Sequence, residues 1–180
     1  TYETLTGDEI TANIIGDKCY VTSINTTKEY ALFPKTITYN GKSYTKVTLY
    51  GGVGTNAKTT LKGIKFEDGI FIDTGTRISF AGCTALRYIE NIPSDYPNSL
   101  EFSGCTSLLS LPKIKHTKTS EMGSCKNCTS LKVISQYPTT LKGTLSQTYW
   151  GCNAVEDISN LIIPSGITDL HECYANMKNL

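Results

Sequence analysis

From Phe80 to the last residue, large apolar positions return in step. Take Cys83, Cys105, Cys128, Cys152 and Met177 as position zero. Three residues ahead of them stand Phe80, Phe102, Cys125, Tyr149 and Tyr174; three after stand Leu86, Leu108, Leu131, Val155 and Leu180. Ile89, Leu111, Ile134 and Ile158 follow at plus six, and Ile92, Ile114, Tyr137 and Leu161 at plus nine. The step drifts slowly, 22 residues from Cys83 to Cys105, then 23, 24 and 25. A period of this size marks stacked repeats, each of which buries its apolar side only against its neighbours.

The polar columns agree with the apolar ones. At minus one stand Gly82, Gly104, Asn127, Gly151 and Asn176. Glycine and asparagine are the residues that most readily take a positive φ, so this column predicts a left-handed turn in every unit. Plus one and plus two are mostly small: Thr84-Ala85, Thr106-Ser107, Thr129-Ser130, Asn153-Ala154. The pattern predicts a β-rich solenoid, a right-handed coil of about five repeats of 22–25 residues. Each unit is expected to give one short strand at plus four to plus eight, and the strands to stack in parallel at ~4.8 Å. The expected core is Phe80, Cys83, Leu86, Ile89, Phe102, Cys105, Leu108, Leu111, Cys128, Leu131, Ile134, Cys152, Val155 and Ile158.

The first fifty residues follow a different rhythm. "TITYNGKSYTKVTLY" alternates around Asn40-Gly41, a strong hairpin signal that pairs Tyr39 with Lys42 and Ile37 with Tyr44. "DKCYVTSI", residues 17–24, is a further strand candidate. Residues 1–57 are therefore expected to be a β-rich cap on the first repeat, with a small separate binding domain as the alternative. Residues 58–180 are expected to be the repeats, the last one truncated and the chain part of a longer polypeptide. Between the two, "GGVGTNAK" (51–58) reads as a flexible joint. A degenerate unit follows, because "NAKTTLKGIKF" places Leu61 and Ile64 at plus three and plus six.

Chemistry is sparse. Seven cysteines is an odd number, and a small disulfide scaffold favours an even one. Four of the seven are position-zero residues, where a free cysteine behaves as a small buried hydrophobe. "CKNC" at 125–128 suggests redox or zinc chemistry when read alone. Here Cys128 is position zero, Cys125 fills the aromatic slot, and no second such pair occurs; His116 and His171 lie far away in sequence. Neither a metal site nor a cofactor is expected.

The plus-five and plus-seven side chains should face outward: Tyr88, Glu90, Ser110, Pro112, Val133, Ser135, Asp157 and Ser159. No histidine stands by a serine or cysteine among them. Glu90 and Asp157 fall three rungs apart, ~14 Å, too far for paired acid-base work. No enzyme is expected, and these outward residues are the candidate binding face. Trp150 breaks the otherwise small or polar minus-two column of Ala81, Ser103, Lys126 and Ala175, and is a candidate contact on another side. The net charge of +1, with no long basic run, gives a nucleic-acid partner no electrostatic support. No stretch approaches ~20 consecutive apolar residues, so no membrane span is expected.

The segments "FAGCTALRYIENIP", "FSGCTSLLSLPKI", "CKNCTSLKVISQYP", "YWGCNAVEDISNLIIP" and "ITDLHECYANMKNL" resemble the unit of the BspA-like leucine-rich repeats of bacterial surface proteins. The strand-rich lead-in "YVTSI…ALFPKTITYNGKSYTKVTLYGG" is also similar. Cys125 in the aromatic slot and Met177 at position zero depart from the pattern. The resemblance implies a non-enzymatic, adhesin-like interaction module of a cell-surface or secreted protein, extracellular, with a protein or glycan partner. Its alternative is a structural or receptor-binding segment of a phage or cell-envelope assembly.

Overall fold

The computed structural model describes residues 1–73, 75–93, 99–112, 124–134, 137 and 139–180. The N-terminal strands are β1 (Glu3–Thr4), β2 (Ile10–Ile15), β3 (Lys18–Ile24), β4 (Tyr30–Phe33), β5 (Ile37–Tyr39), β6 (Lys42–Tyr44) and β7 (Lys46–Thr55). They are followed by β8 (Gly63–Phe66), β9 (Phe71–Ile72), β10 (Arg77–Ser79), β11 (Tyr88–Glu90), β12 (Ser99–Glu101), β13 (Lys142–Thr144) and β14 (Gly166–Asp169). Among the described residues there is no α-helix; one 3-10 turn, Gly7–Glu9, carries a capping box between Thr6 and Glu9.

Most of the strands belong to two mostly parallel sheets. One runs β1-β4-β8-β11 and the other β12-β10-β7-β3-β2, with β9 also on β7. Strands from residues 1–57 pair with later strands in both sheets: Tyr30 lies opposite Gly63, and Gly63 opposite Tyr88. The β5–β6 hairpin forms in the register its Asn-Gly turn dictates, Ile37 opposite Tyr44 and Tyr39 opposite Lys42; Asn40 and Gly41 both have positive φ. β3 occupies the stretch expected from "DKCYVTSI".

Successive units are joined by a regular backbone ladder. The N–H at minus three donates to the carbonyl at minus four of the next unit, as in Phe80 to Glu101 (2.7 Å), Phe102 to Ser124 (2.7 Å), Cys125 to Thr148 (2.7 Å) and Tyr149 to Cys173 (3.0 Å). The N–H at minus one donates to the carbonyl at minus two, as in Gly82 to Ser103, Gly104 to Lys126, Asn127 to Trp150 and Gly151 to Ala175. This second bond needs the left-handed turn. Gly82, Gly104, Asn127, Gly151 and Asn176 have φ of 74°, 74°, 60°, 77° and 56°.

The four position-zero cysteines are fully buried free thiols. Three of them close a further ladder: the Sγ–H of Cys105 donates to the Phe80 carbonyl (3.0 Å), Cys128 to Phe102 (3.1 Å) and Cys152 to Cys125 (3.2 Å). Each of these carbonyls also accepts the position-zero N–H of its own unit, so both its lone pairs are used. Phe80 and Phe102 stack with rings 3° from parallel at 6.0 Å, and Tyr149 and Tyr174 do the same at 6.2 Å. Cys125 interrupts that column, and Tyr137 adds a ring against Tyr149 and hydrogen-bonds the Tyr174 hydroxyl at 2.7 Å. Leu86, Leu108, Leu131, Val155, Ile89 and Ile134 are buried, while Leu111 and Ile158 are half-buried against the same core.

Two expectations are corrected. Among the described residues beyond 80, the plus-four to plus-eight stretch is a strand only in β11; residues 109–112, 132–134 and 156–160 are not strands. Pro112 has no N–H to give to a ladder. In the later unit the Asp157 carboxylate accepts the Ser159 N–H (2.8 Å) and turns the chain out of extended geometry. Nothing in the structure explains residues 132–134. Strand pairing between later units lies ahead of position zero instead, in β10–β12, at minus six to minus four, and in β13–β14.

The second correction concerns the joint at 51–58, most of which is strand. Val53 and Thr55 are buried, Gly52 and Val53 pair with Arg77 and Ile78, and Gly54 and Thr55 pair with Ser23 and Ile24. Gly51, at φ 65°, absorbs the register shift that lets one strand serve two neighbours.

Candidate interaction face

The outward residues are built by alternation. In β11, Ile89 is buried while its neighbours Tyr88 and Glu90 point away, half-buried and exposed. The same alternation holds where the chain is not a strand: Val133 is exposed beside buried Ile134, and Asp157 and Ser159 are exposed on either side of Ile158. Ser110 is exposed and Pro112 half-buried; Ser135 lies outside the described residues, as do Ile114 and His116.

Two of the expected residues meet in one place. Val133 and Asp157 line an open groove of about 490 Å³ with Lys132, Glu156, Asn160 and Leu161. Val133 is 66% exposed there. Glu156 and Asp157 are acidic and Lys132 basic, so the walls carry charge around an apolar side chain. The Asp157 carboxyl is held below its ordinary value by the Ser159 N–H that it accepts.

Tyr88 and Glu90 belong to a second cluster, on the sheet β1-β4-β8-β11. Register places Tyr30, Gly63 and Tyr88 in one row and Leu32, Lys65 and Glu90 in the next. A side-chain carbon added at Gly63 would lie 3.0 Å from Tyr30 Cδ1 and 3.3 Å from Tyr88 Cδ2, so the two rings lean in over a bare backbone floor. Tyr2, just ahead of β1, packs edge-on against Tyr30 with centroids 6.2 Å apart and planes at 82°. Burial first, and the Glu90 carboxylate second, push the pKa of the Tyr2 phenol up to about 12. An ion pair between Lys62 and Glu29 (3.0 Å) stands at plus four beside the row. Tyr30 was not legible as a site residue because the β5–β6 hairpin lengthens its unit. Tyr30 to Gly63 is 33 residues, whereas Gly63 to Tyr88 is 25. The signal was "YALF", whose alternation matches "GIKF".

Trp150 sits away from both clusters, half-buried, with the Lys126 ammonium 4.8 Å from its ring centroid. A neighbouring unit's minus-two side chain therefore already covers part of its π-face.

The thiols offer no poised nucleophile. Burial pushes Cys83 up to about 11, Cys152 up to about 12 and Cys173 up to about 11, and drives Cys105 higher still. Cys125, 1% exposed, is raised by its hydrogen bond to Cys128 and by burial. His171 is exposed, and its N–H donates to Asp169 (2.8 Å). Among the described residues no three His, Cys, Asp or Glu side chains converge on a point that could hold a metal ion. No helix among them is long and apolar enough to cross a membrane.

No family model matches the chain, and no curated protein does. Among solved structures, the chain is similar to a leucine-rich repeat protein of T. pallidum. The TM-score is 0.66 at 18% identity, over 99% of this chain and 80% of that one. The fold is a leucine-rich-repeat fold, built mostly of strands in parallel sheets.

Proposed function

We propose that the chain is a binding module, not an enzyme, and that it engages a protein or glycan surface through its plus-five and plus-seven residues. The observation that carries this reading is the outward row itself. Tyr88, Glu90, Ser110, Val133, Asp157 and Ser159 stay at the surface at repeat spacing, beside the buried Ile89 and Ile134 and the half-buried Leu111 and Ile158. A leucine-rich-repeat scaffold is commonly an interaction surface, and no acid-base pair or activated nucleophile competes with that reading among the described residues. The unit pattern further supports membership of the BspA-like group, a right-handed coil of about five such units, and an adhesin-like role at a bacterial cell surface or in a secreted protein. A structural or receptor-binding segment of a phage or envelope assembly is the second reading. It is favoured by the backbone ladder that joins the units of Phe80, Phe102, Cys125, Tyr149 and Tyr174 in series, which suits a spacer as well as a receptor.

The face is lightly charged, so affinity rests on shape and repeated contacts rather than on electrostatic steering. Against a partner identified by binding, Tyr88→Ala combined with Asp157→Ala should weaken affinity about tenfold or more. Thermal stability should stay nearly unchanged. Trp150→Ala should bind as the wild type does, and raising salt should change affinity little. If only Trp150→Ala disrupts binding, the working surface is the opposite side.

A further inference from the structure

β2 is the last strand of its sheet, and among the described residues no strand pairs with its outer side. The turn that leads out of it fixes which main-chain groups this edge presents. Ile15 and Lys18 flank a two-residue loop, Gly16-Asp17, with Gly16 at φ 61°, so they are the hydrogen-bonded pair that closes the hairpin. Counting back by twos, Asn13, Thr11 and Glu9 also turn their N–H and C=O groups toward β3. The bulge between Thr11 and Ala12 adds its extra residue, Thr22, to β3, so the alternation along β2 is kept. Two bonds confirm the parity: the Asn25 N–H donates to the Glu9 carbonyl at 2.7 Å, and the Thr22 hydroxyl to the Thr11 carbonyl at 3.3 Å. Ala12 and Ile14 therefore direct their main-chain groups outward. The Ala12 carbonyl accepts the Tyr39 hydroxyl at 3.4 Å, a long bond that a main-chain donor can displace.

Sheet edges are normally blunted by charge, by proline or by brevity. β2 shows none of these. Its six residues, ITANII, include no charged residue and no proline, and most are β-branched. Thr11, Asn13, Ile14 and Ile15 are exposed, Ile15 to 65%. The carboxylates at either end are neutralised within the chain, Asp17 by Lys46 (2.8 Å) and Glu9 by Lys28.

We propose that β2 is a dimerisation edge whose partner is β2 of a second copy of this chain, antiparallel, with the two-fold axis at Asn13. A strand paired antiparallel with itself is self-complementary, as a two-fold interface requires. The free groups set the register. With Asn13 opposite Asn13, the outward N–H and C=O groups of Ala12 meet those of Ile14 in the other copy, twice over. Pairing then stays within residues 11–15. Centring on Ala12 would draw in Ile10, on the far side of the bulge, and centring on Ile14 would run into the Gly16-Asp17 loop. On one face the two Asn13 amides lie side by side, each with donors and an acceptor to exchange, flanked by Ile15 against Thr11. On the other face Ile14 meets Ala12. No like charges oppose each other within this ladder. No residue of the plus-five and plus-seven row lies on β2, so the dimer presents that row twice.

The test is sedimentation of the full chain at rising concentration. The wild type should pass reversibly from monomer to dimer over about 5 to 500 µM, the range of a small, weak interface. Ala12→Pro removes an outward N–H without touching the bonds to β3, and Ile14→Lys puts a charge on each side of the axis. Each should weaken self-association about tenfold or more, with the unfolding midpoint near that of the wild type. Asn13→Cys should give a disulfide-linked dimer on mild oxidation, because the axis brings its two Cα atoms to roughly 4.5 Å. Thr11→Cys should not, because it faces Ile15 of the other copy. A chain still monomeric at about 500 µM overturns the proposal, as does growth past the dimer, which marks an open head-to-tail contact. A dimer that survives both Ala12→Pro and Ile14→Lys, or equal cross-linking of Asn13→Cys and Thr11→Cys, puts the interface elsewhere and overturns it too. If Ala12→Pro does not fold, Ile14→Lys and the two cysteine variants decide.

Discussion

Cys105 shows what position zero demands of a side chain. It is fully buried between units and gives a hydrogen to the Phe80 carbonyl at 3.0 Å, a bond that Met177 at the same position has no hydrogen to make. Its apolar character was legible from the columns, but its bond was not, because a one-dimensional pattern does not say which carbonyl lies beneath a thiol. Cys105→Ala should cost about 1–2 kcal/mol, from the small cavity and the lost weak donor together, read as a drop in unfolding free energy. A thiol reagent at neutral pH should label Cys83, Cys105, Cys128 and Cys152 slowly in the folded chain and fast in denaturant, since all four are fully buried between units. Rapid labelling of all four in the native state would refute the column.

At the scale of the element, the left-handed turn at minus one is the part most fully written in the sequence. All five Gly or Asn residues take positive φ. Gly104→Ala gives a clean measure, because a carbon there would meet Gly82 at an ordinary 3.7 Å, leaving only the conformational cost. It should destabilise by about 1–2 kcal/mol, and Gly104→Asn by clearly less. Gly151→Ala should be worse than Gly104→Ala, because its added carbon also collides with the Asn127 side-chain oxygen.

Strand placement was the weaker reading. Apolar spacing locates inward side chains on either side of a turn equally well, so it did not distinguish the stretch after position zero from the stretch before it. The lengthening of the last unit was legible as a number only. In the structure β13 and β14 pair with an offset of 24 residues up to Gly143 and 25 from Thr144, so the added residue is accommodated as a bulge. The candidate face was partly legible. Tyr88, Glu90, Val133 and Asp157 followed from alternation, whereas Tyr30 was hidden by the hairpin that lengthens its unit.

The whole molecule should be most stable over a middle pH window. At the acid side, burial works to raise the Glu9 carboxyl, but its bonds to Lys28, Thr26 and the Thr6 N–H hold it at about 2 against an ordinary 4.5. A lowered folded value contributes stability above about 4.5 that is lost as pH falls toward 2. At the basic side, Cys83, Cys152 and Cys173 are raised from 9 to about 11, 12 and 11. A raised folded value contributes stability in full below 9 that is lost as pH climbs to about 12. Denaturant midpoints should therefore be flat from about pH 5 to 9 and fall on both sides. Adding a chelator should leave the midpoint unchanged, and stoichiometric zinc in purified protein would contradict that.

The central claim is that units of 22–25 residues stack in register, one thiol above the next. The anomalous signal of sulfur in a crystal of the protein tests it most directly. The account predicts peaks for Cys83, Cys105, Cys128 and Cys152 in a single row, at successive spacings of roughly 4.8 Å. Peaks paired at roughly 2 Å, the length of a disulfide, or four sulfurs scattered off any common line, would contradict it.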